Sequence, residues 1–188
     1  MRNANKSVIF LDVDFVLNDN DTPLCPKGFA GVDDDKIECL KEIVNLMDAE
    51  IVLSSSWRDS WHKASFDTDT LGGYLNLKLA EHGLFVSGKT DEFAWDRRGA
   101  EIRTYLDNHP EITRFIILDD ADFKWRRYGL DRFWVQTCVP TPEGNVYGLS
   151  PYHVEYVKSH MGCFGRQQTV QRGREDGANS YLLAASIV

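Results

Sequence analysis

Three sets of oxygen-bearing side chains in this sequence follow apolar runs. Asp12 and Asp14 close the run at 7–13 (SVIFLDV), and Ser54, Ser55 and Ser56 follow the one at 50–53. Asp119 and Asp120, with Asp122 close behind, follow the run at 113–118. In extended backbone, residues two apart point the same way, so Asp12 and Asp14 share a side. If the first and last of these runs are neighbouring strands, four carboxylates meet in one crevice. Acids that close stay ionised only with a cation among them; otherwise some take up protons. Oxygen donors with no His or Cys nearby suit a hard ion, Mg²⁺. A lone Asp after a strand is commonly a turn former or a helix cap. Two acid-tipped strands with a hydroxyl-tipped one between them point instead to a metal-assisted site.

Such a site needs elements that bring strand ends together, and the pattern supplies them. Residues 7–13, 50–53, 84–87, 113–118 and 132–137 read as strands. Residues 33–47 read as a helix, with Ile37, Leu40, Ile43, Val44 and Met47 on one stripe and Asp33, Asp34 and Asp35 at its N-terminus. Residues 59–83 read mainly as helix, with Gly72 and Gly73 marking a turn. Residues 96–108 form a further helix that stops before Pro110. Ser150 and Pro151 open the last one. Strands alternating with helices imply α/β with a mostly parallel sheet, whose ligands bind beyond the carboxyl ends of the strands. One domain over 1–161 is expected, followed by a polar, poorly ordered tail over 162–188.

The chain has 188 residues, with 43% hydrophobic and 27% charged, so it carries enough apolar material for a real core. The longest apolar runs, such as 8–11, hold about four residues against the ~20 of a membrane span. The net charge of −8 argues against a broad basic face for nucleic acid. Cys25, Cys39, Cys138 and Cys163 are scattered without metal-site spacing. Free thiols, no secretory leader and a cytoplasmic location are the expectation.

FLDVDFVLN (10–18) resembles the first motif of the haloacid dehalogenase (HAD) superfamily. The run ending in Ser54 resembles its second motif, and ILDDADF (117–123) its acidic fourth. The third is a lone cation, for which Arg98 in RGAEIRTYL fits best, with Lys89 and Arg97 as alternatives. The combination with IVLSSSWR is similar to the HAD domain of Swiss Army Knife RNA-repair proteins and of stand-alone phage and bacterial relatives, over about 7–160. The resemblance implies a three-layer Rossmann-like sandwich and a phosphatase. Asp12 would be the nucleophile and Asp14 the general acid and base, with Ser54 and Arg98 on the phosphoryl group. Asp12, Asp14 (through its carbonyl) and Asp119 or Asp120 would bind Mg²⁺. Ser55 and Arg58 are candidate substrate contacts, and Phe15, Trp57 and Trp61 candidate rim residues. Trp125, Arg126 and Arg127 read first as a helix face and second as a substrate contact. Phe15 replaces the glycine usual after the second Asp.

The expected substrate is a phosphorylated small molecule, a nucleotide or a nucleic-acid end; the alternative is a non-catalytic phosphate- or metal-binding module. The segment between Asp14 and the helix near Asp33 is rich in turn formers and holds a flap but no domain, so minimal or no cap is expected.

Overall fold

The computed structural model describes residues 5–165 except 26, 94–96 and 142–143. The strands are β1 (Lys6–Leu11), β2 (Ala49–Leu53), β3 (Val86–Lys89), β4 (Ile112–Asp119), β5 (Trp134–Gln136), β6 (Val139–Thr141) and β7 (Gly144–Val146). The helices are α1 (Asp34–Met47), α2 (Leu71–Glu81), α3 (Arg98–Asn108) and α4 (Pro151–His160). Strands β1 to β5 form one parallel sheet in the order β3-β2-β1-β4-β5. Strand order reverses beside β1, which puts a crevice at the carboxyl ends of β1 and β4.

The central strands are buried on both faces, which is why β1 and β4 are nearly continuous apolar runs. α1 buries Ile37, Leu40, Ile43 and Met47 and packs against α4. Lys78 and His82, at the C-terminal end of α2, pair with Asp34 of α1, so α1, α2 and α4 share a face. The chain crosses back from β3 to β4 through α3, and a right-handed crossover puts α3 on the opposite face. There Tyr105 meets Phe10 edge-on, with ring centres 5.6 Å apart. The result is the three-layer α/β sandwich expected. No helix among the described residues is long and apolar enough to cross a membrane.

Four expectations need correction. Residues 59–83 are not mainly helix: a short 3-10 turn (Ser56–Asp59) and a loop precede α2. Gly72 and Gly73 mark no turn but lie in the first turn of α2, where a Cβ would run into the backbone of Trp61 or Asp67. The antiparallel hairpin β6–β7 was not anticipated. Residues 162–165 are not the start of a loose tail: Phe164 is buried and Gly165 bridges to Arg114 on β4. The rest of the expected tail, 166–188, lies outside the described residues.

The acid run at the start of α1 meets basic side chains, Asp34 pairing with Lys78 and His82. Asp33 makes no side-chain cap; its carboxylate accepts from Thr22 Oγ1 (2.6 Å) and Lys36 Nζ (2.8 Å). Lys36 also reaches Asp19 (2.6 Å), so this cluster pins the flap between β1 and α1.

Candidate active site

The register of the sheet lines up the chemistry. Leu11 pairs with Leu53 and Leu118, and Leu53 with Lys89. The ladder runs one residue further: the amides of Asp12, Ser54 and Thr90 donate to the carbonyls of Leu118, Leu11 and Leu53 at 3.0, 2.9 and 3.0 Å. Residues level on adjacent parallel strands point to the same face, with strands about 4.8 Å apart. Asp119, Asp12, Ser54 and Thr90 therefore form one row across the carboxyl edge.

Arg98, the first residue of α3, reaches into this row. Its Nη1 donates to Asp119 Oδ2 at 2.6 Å and pairs with Asp12 Oδ2 at 2.8 Å. Its guanidinium lies 4.3 Å from the centre of the Phe123 ring. Burial disfavours its charge, but Asp12 and Asp119 more than offset that and hold its pKa above the ordinary value. Of the three candidate cations, Arg98 alone is in the cluster. Lys89 donates to the carbonyls of Arg58 (2.7 Å) and Trp61 (3.3 Å), and Arg97 is exposed.

Carboxylate oxygens of Asp12, Asp119 and Asp120 all lie within 4.8 Å of one another. Asp119 is fully buried, and burial together with the charge of Asp12 pushes its pKa up to about 8, against the opposing pull of Arg98. Asp120 is raised by burial and then by Asp12. One arginine thus faces three acids. A set of hard oxygen donors short of positive charge fits a divalent cation such as Mg²⁺. Asp119 already accepts from Arg98 and from the Ala121 amide (3.0 Å), so Asp120 is the freer donor.

Asp14 stands at the mouth, partly exposed. Trp57 Nε1 donates to its Oδ2 at 3.1 Å, and Asn18 Nδ2 to its Oδ1 at 3.4 Å. Burial, with Asp12 adding to it, raises the Asp14 pKa, and these two donors oppose the rise. Phe15 takes the left-handed conformation (φ 55°) that a glycine would adopt without strain. Its amide donates to Asn18 Oδ1 (2.7 Å), its carbonyl accepts from Thr137 Oγ1 (2.9 Å), and its ring lies 4.6 Å from that of Tyr147 beyond β7. The turn usual at a glycine is kept, with side-chain contacts holding it.

Ser54 is buried and its Oγ has no partner. Ser55 and Arg58, expected on the substrate, are instead part of the floor. Ser55 Oγ accepts from the Trp57 amide (3.3 Å). Arg58, one helical turn after Ser54, folds back: Nη1 donates to the Ser54 carbonyl (2.6 Å), and Nη2 pairs with buried Glu101 of α3 at 3.1 Å. This pair ties the Ser54 loop to the helix that carries Arg98. Trp61 is buried too, with Nε1 donating to Asn76 Oδ1 (2.8 Å), so it is no rim residue.

Sequence reasoning missed Glu101, Thr90 and the bond between Trp57 and Asp14. An acid three residues after Arg98 on a helix face with Ile102 was a usable signal for Glu101; a bond spanning 43 residues left none. Among the described residues, the buried side-chain polar atoms with neither a hydrogen bond nor an ion pair are Ser54 Oγ, Arg58 Nε and Thr90 Oγ1, all at this edge of the sheet.

Residues 8–141 match the family described as HAD domain in Swiss Army Knife RNA repair proteins. A solved structure from Mesorhizobium loti, described as a HAD-like phosphatase, superposes with a TM-score of 0.48 at 12% identity, covering 88% of this chain and 90% of that one. No curated protein matches.

Proposed function

The chain belongs to the family of HAD domains found in Swiss Army Knife RNA-repair proteins, and from that premise we propose that it is a Mg²⁺-dependent phosphatase that cleaves phosphomonoesters through an aspartyl-phosphate on Asp12. The observation that carries the reading is Arg98 Nη1 bonded to both Asp12 and Asp119, with Asp120 completing an oxygen cluster within 4.8 Å. An Asp12 carboxylate between a guanidinium and oxygen-donor acids is held in one orientation, as an attacking group must be.

Asp12 attacks phosphorus; the new bond is from its carboxylate oxygen to phosphorus, and the bond to the leaving oxygen breaks. Asp14 gives its proton to that oxygen. Asp14 then takes a proton from water, whose oxygen attacks phosphorus and releases Asp12 as carboxylate and the product as inorganic phosphate. The Ser54 hydroxyl donates to a phosphoryl oxygen, which fills its empty partner position, and Arg98 balances charge on the nucleophile and the phosphoryl group. Mg²⁺ would be held by Asp12, the Asp14 carbonyl and Asp120, and supplies charge neutralisation that lets two anions approach.

The substrate we favour is a phosphorylated nucleic-acid end or a nucleotide. Asp14 is partly exposed, so the mouth of the site is reachable from solvent. Arg97, Arg126 and Arg127 are exposed around the start of α3 and the turn (Trp125–Tyr128) packed on it, beside the Asp119–Asp120 end of the row. They supply local positive charge in a chain of net −8. The non-catalytic alternative would rest on Phe15 in place of glycine, and Phe15 keeps the left-handed turn that a glycine would adopt.

The test is phosphate release from nucleotides, sugar phosphates and 3′- or 5′-phosphorylated oligonucleotides, with Mg²⁺ and with EDTA. Asp12→Asn should abolish turnover and keep the fold. Activity within about tenfold of wild type would exclude Asp12 as nucleophile.

A further inference from the structure

The indole of Trp57 does more than fill space. It is 2% exposed, yet its one polar atom faces the site, with Nε1 3.1 Å from Asp14 Oδ2. An indole N–H only donates and never accepts. Oδ2 is therefore held as an acceptor by a donor that cannot reverse its role. The ring cannot swing away, because it is packed in the core cluster and its own amide is bound to Ser55 Oγ. The indole thus fixes the plane of the Asp14 carboxyl. Asn18 Nδ2 donates to the other oxygen, Oδ1, at 3.4 Å, and Asn18 also bonds the Gly31 carbonyl (3.0 Å) and the Phe15 amide (2.7 Å), so it ties the acid to the turn while the indole holds it from the core side.

We infer that Trp57 is a positioning residue, whose ring N–H aims the Asp14 proton at the leaving oxygen of the phosphoester. The inference rests on the phosphatase reading above. It also predicts something that reading alone does not. A general acid matters when the leaving group is a strong base such as an alkoxide, and matters little when it leaves readily as a stable anion. Loss of the N–H should hurt esters in proportion to the basicity of their leaving group. A loosened pocket would hurt all esters alike.

The experiment measures kcat/KM, which reports steps up to departure of the leaving group, for p-nitrophenyl phosphate, phenyl phosphate and a nucleoside monophosphate. Wild type is compared with Trp57→Phe, all with saturating Mg²⁺. Should Trp57→Phe not fold, β-(3-benzothienyl)alanine at position 57 replaces the ring N–H by sulfur at nearly constant volume. The expected result is a loss of about tenfold or more on the nucleoside monophosphate, an intermediate loss on phenyl phosphate, and no more than about twofold on p-nitrophenyl phosphate. Equal losses on all three esters, or none on the nucleoside monophosphate, overturn the role of Trp57 and leave the phosphatase reading standing. A wild-type protein inert on every ester overturns that reading and this inference with it.

Discussion

Arg98→Met keeps the length of the side chain near α3 and removes the cation that faces Asp12 and Asp119. Both partners are at least nine-tenths buried, and the arginine side chain is 14% exposed. Removing one member of such a pair strands the other charges and costs about 3–5 kcal/mol. Two carboxylates within 4.8 Å of each other at an effective dielectric of ~20 repel by roughly 3.5 kcal/mol or more, which is of the same size. In a domain of this size each kcal/mol shifts Tm by about 2–4 °C, so a fall of roughly 6–20 °C is expected in EDTA at pH 8. The loss also has a pH signature. Asp119 already has a folded pKa raised to about 8, above its ordinary 3.8, so the cost of ionising it is full above that value and is relieved as pH falls through it. Without Arg98 the pKa rises further, so the variant's deficit from this group develops above about pH 8, between the two folded values, and should shrink as pH falls from about 9.5 to about 7. Millimolar Mg²⁺ should raise Tm in wild type and more in the variant, where it replaces the missing positive charge, and equal Na⁺ should not. Thermal melts at the two pH values, with and without Mg²⁺, check all three points. A variant that melts within about 2 °C of wild type in EDTA, or a deficit that grows in acid, would refute the electrostatic account.

Ser54→Ala removes a buried hydroxyl that has no partner within the protein, so stability should be unchanged or rise by up to about 1 kcal/mol, while turnover falls about 10²-fold; a clear loss of stability in urea melts would show that the hydroxyl is already satisfied. Two histidines should pull in opposite directions. His82 is raised chiefly by its bond to Glu38, with Asp34 adding, so its contribution is full below pH 6.5 and is lost as pH rises through its folded pKa. His153 is lowered by burial and must stay neutral, so stability is full above pH 6.5 and falls as pH drops from there toward its folded pKa. Melts of His82→Gln and His153→Gln at about pH 5.5 and pH 8 should therefore show deficits that are larger in acid for the first and in base for the second; deficits that move together would contradict the assigned directions.

Much of the architecture was legible because it is written locally. β1 and β4 must be apolar on both faces to lie mid-sheet, and a chain that leaves such a strand meets water, so Asp12 and Asp119 stand where polarity returns. The stripe Ile37–Leu40–Ile43–Met47 has helical spacing whatever it packs against. The family's first, second and fourth motifs could be recognised for the same reason, as each is a short run at one strand end. Stretches whose form depends on distant partners were misread. Gly72 and Gly73 looked like turn residues, and only the close approach of Trp61 and Asp67 explains glycine inside a helix. The β6–β7 hairpin has three residues a side, too few for a period to show.

Residue types and spacing by themselves determined the parallel α/β class and the acid- and hydroxyl-tipped strands that carry Asp12, Asp14, Ser54, Asp119 and Asp120; the resemblance to the family added a cation near the start of α3 and the expectation of a phosphate. Only the tertiary structure decided among them. Strand register put Asp12, Ser54 and Asp119 in one row, and a slip of one residue would have turned them to the opposite face. The pitch of α3 brought Arg98 to the acids and left Arg97 in solvent, while Lys89 was taken up by loop carbonyls. Arg58, chemically as good a phosphate ligand as any, was withdrawn because a buried Glu101 on another element faces it. Trp57 became the partner of Asp14 through a contact spanning 43 residues. A side chain's chemistry is a property of its type. Its availability depends on which charges and hydrogen-bond partners the folded chain brings within a few ångströms, and those come from far along the sequence.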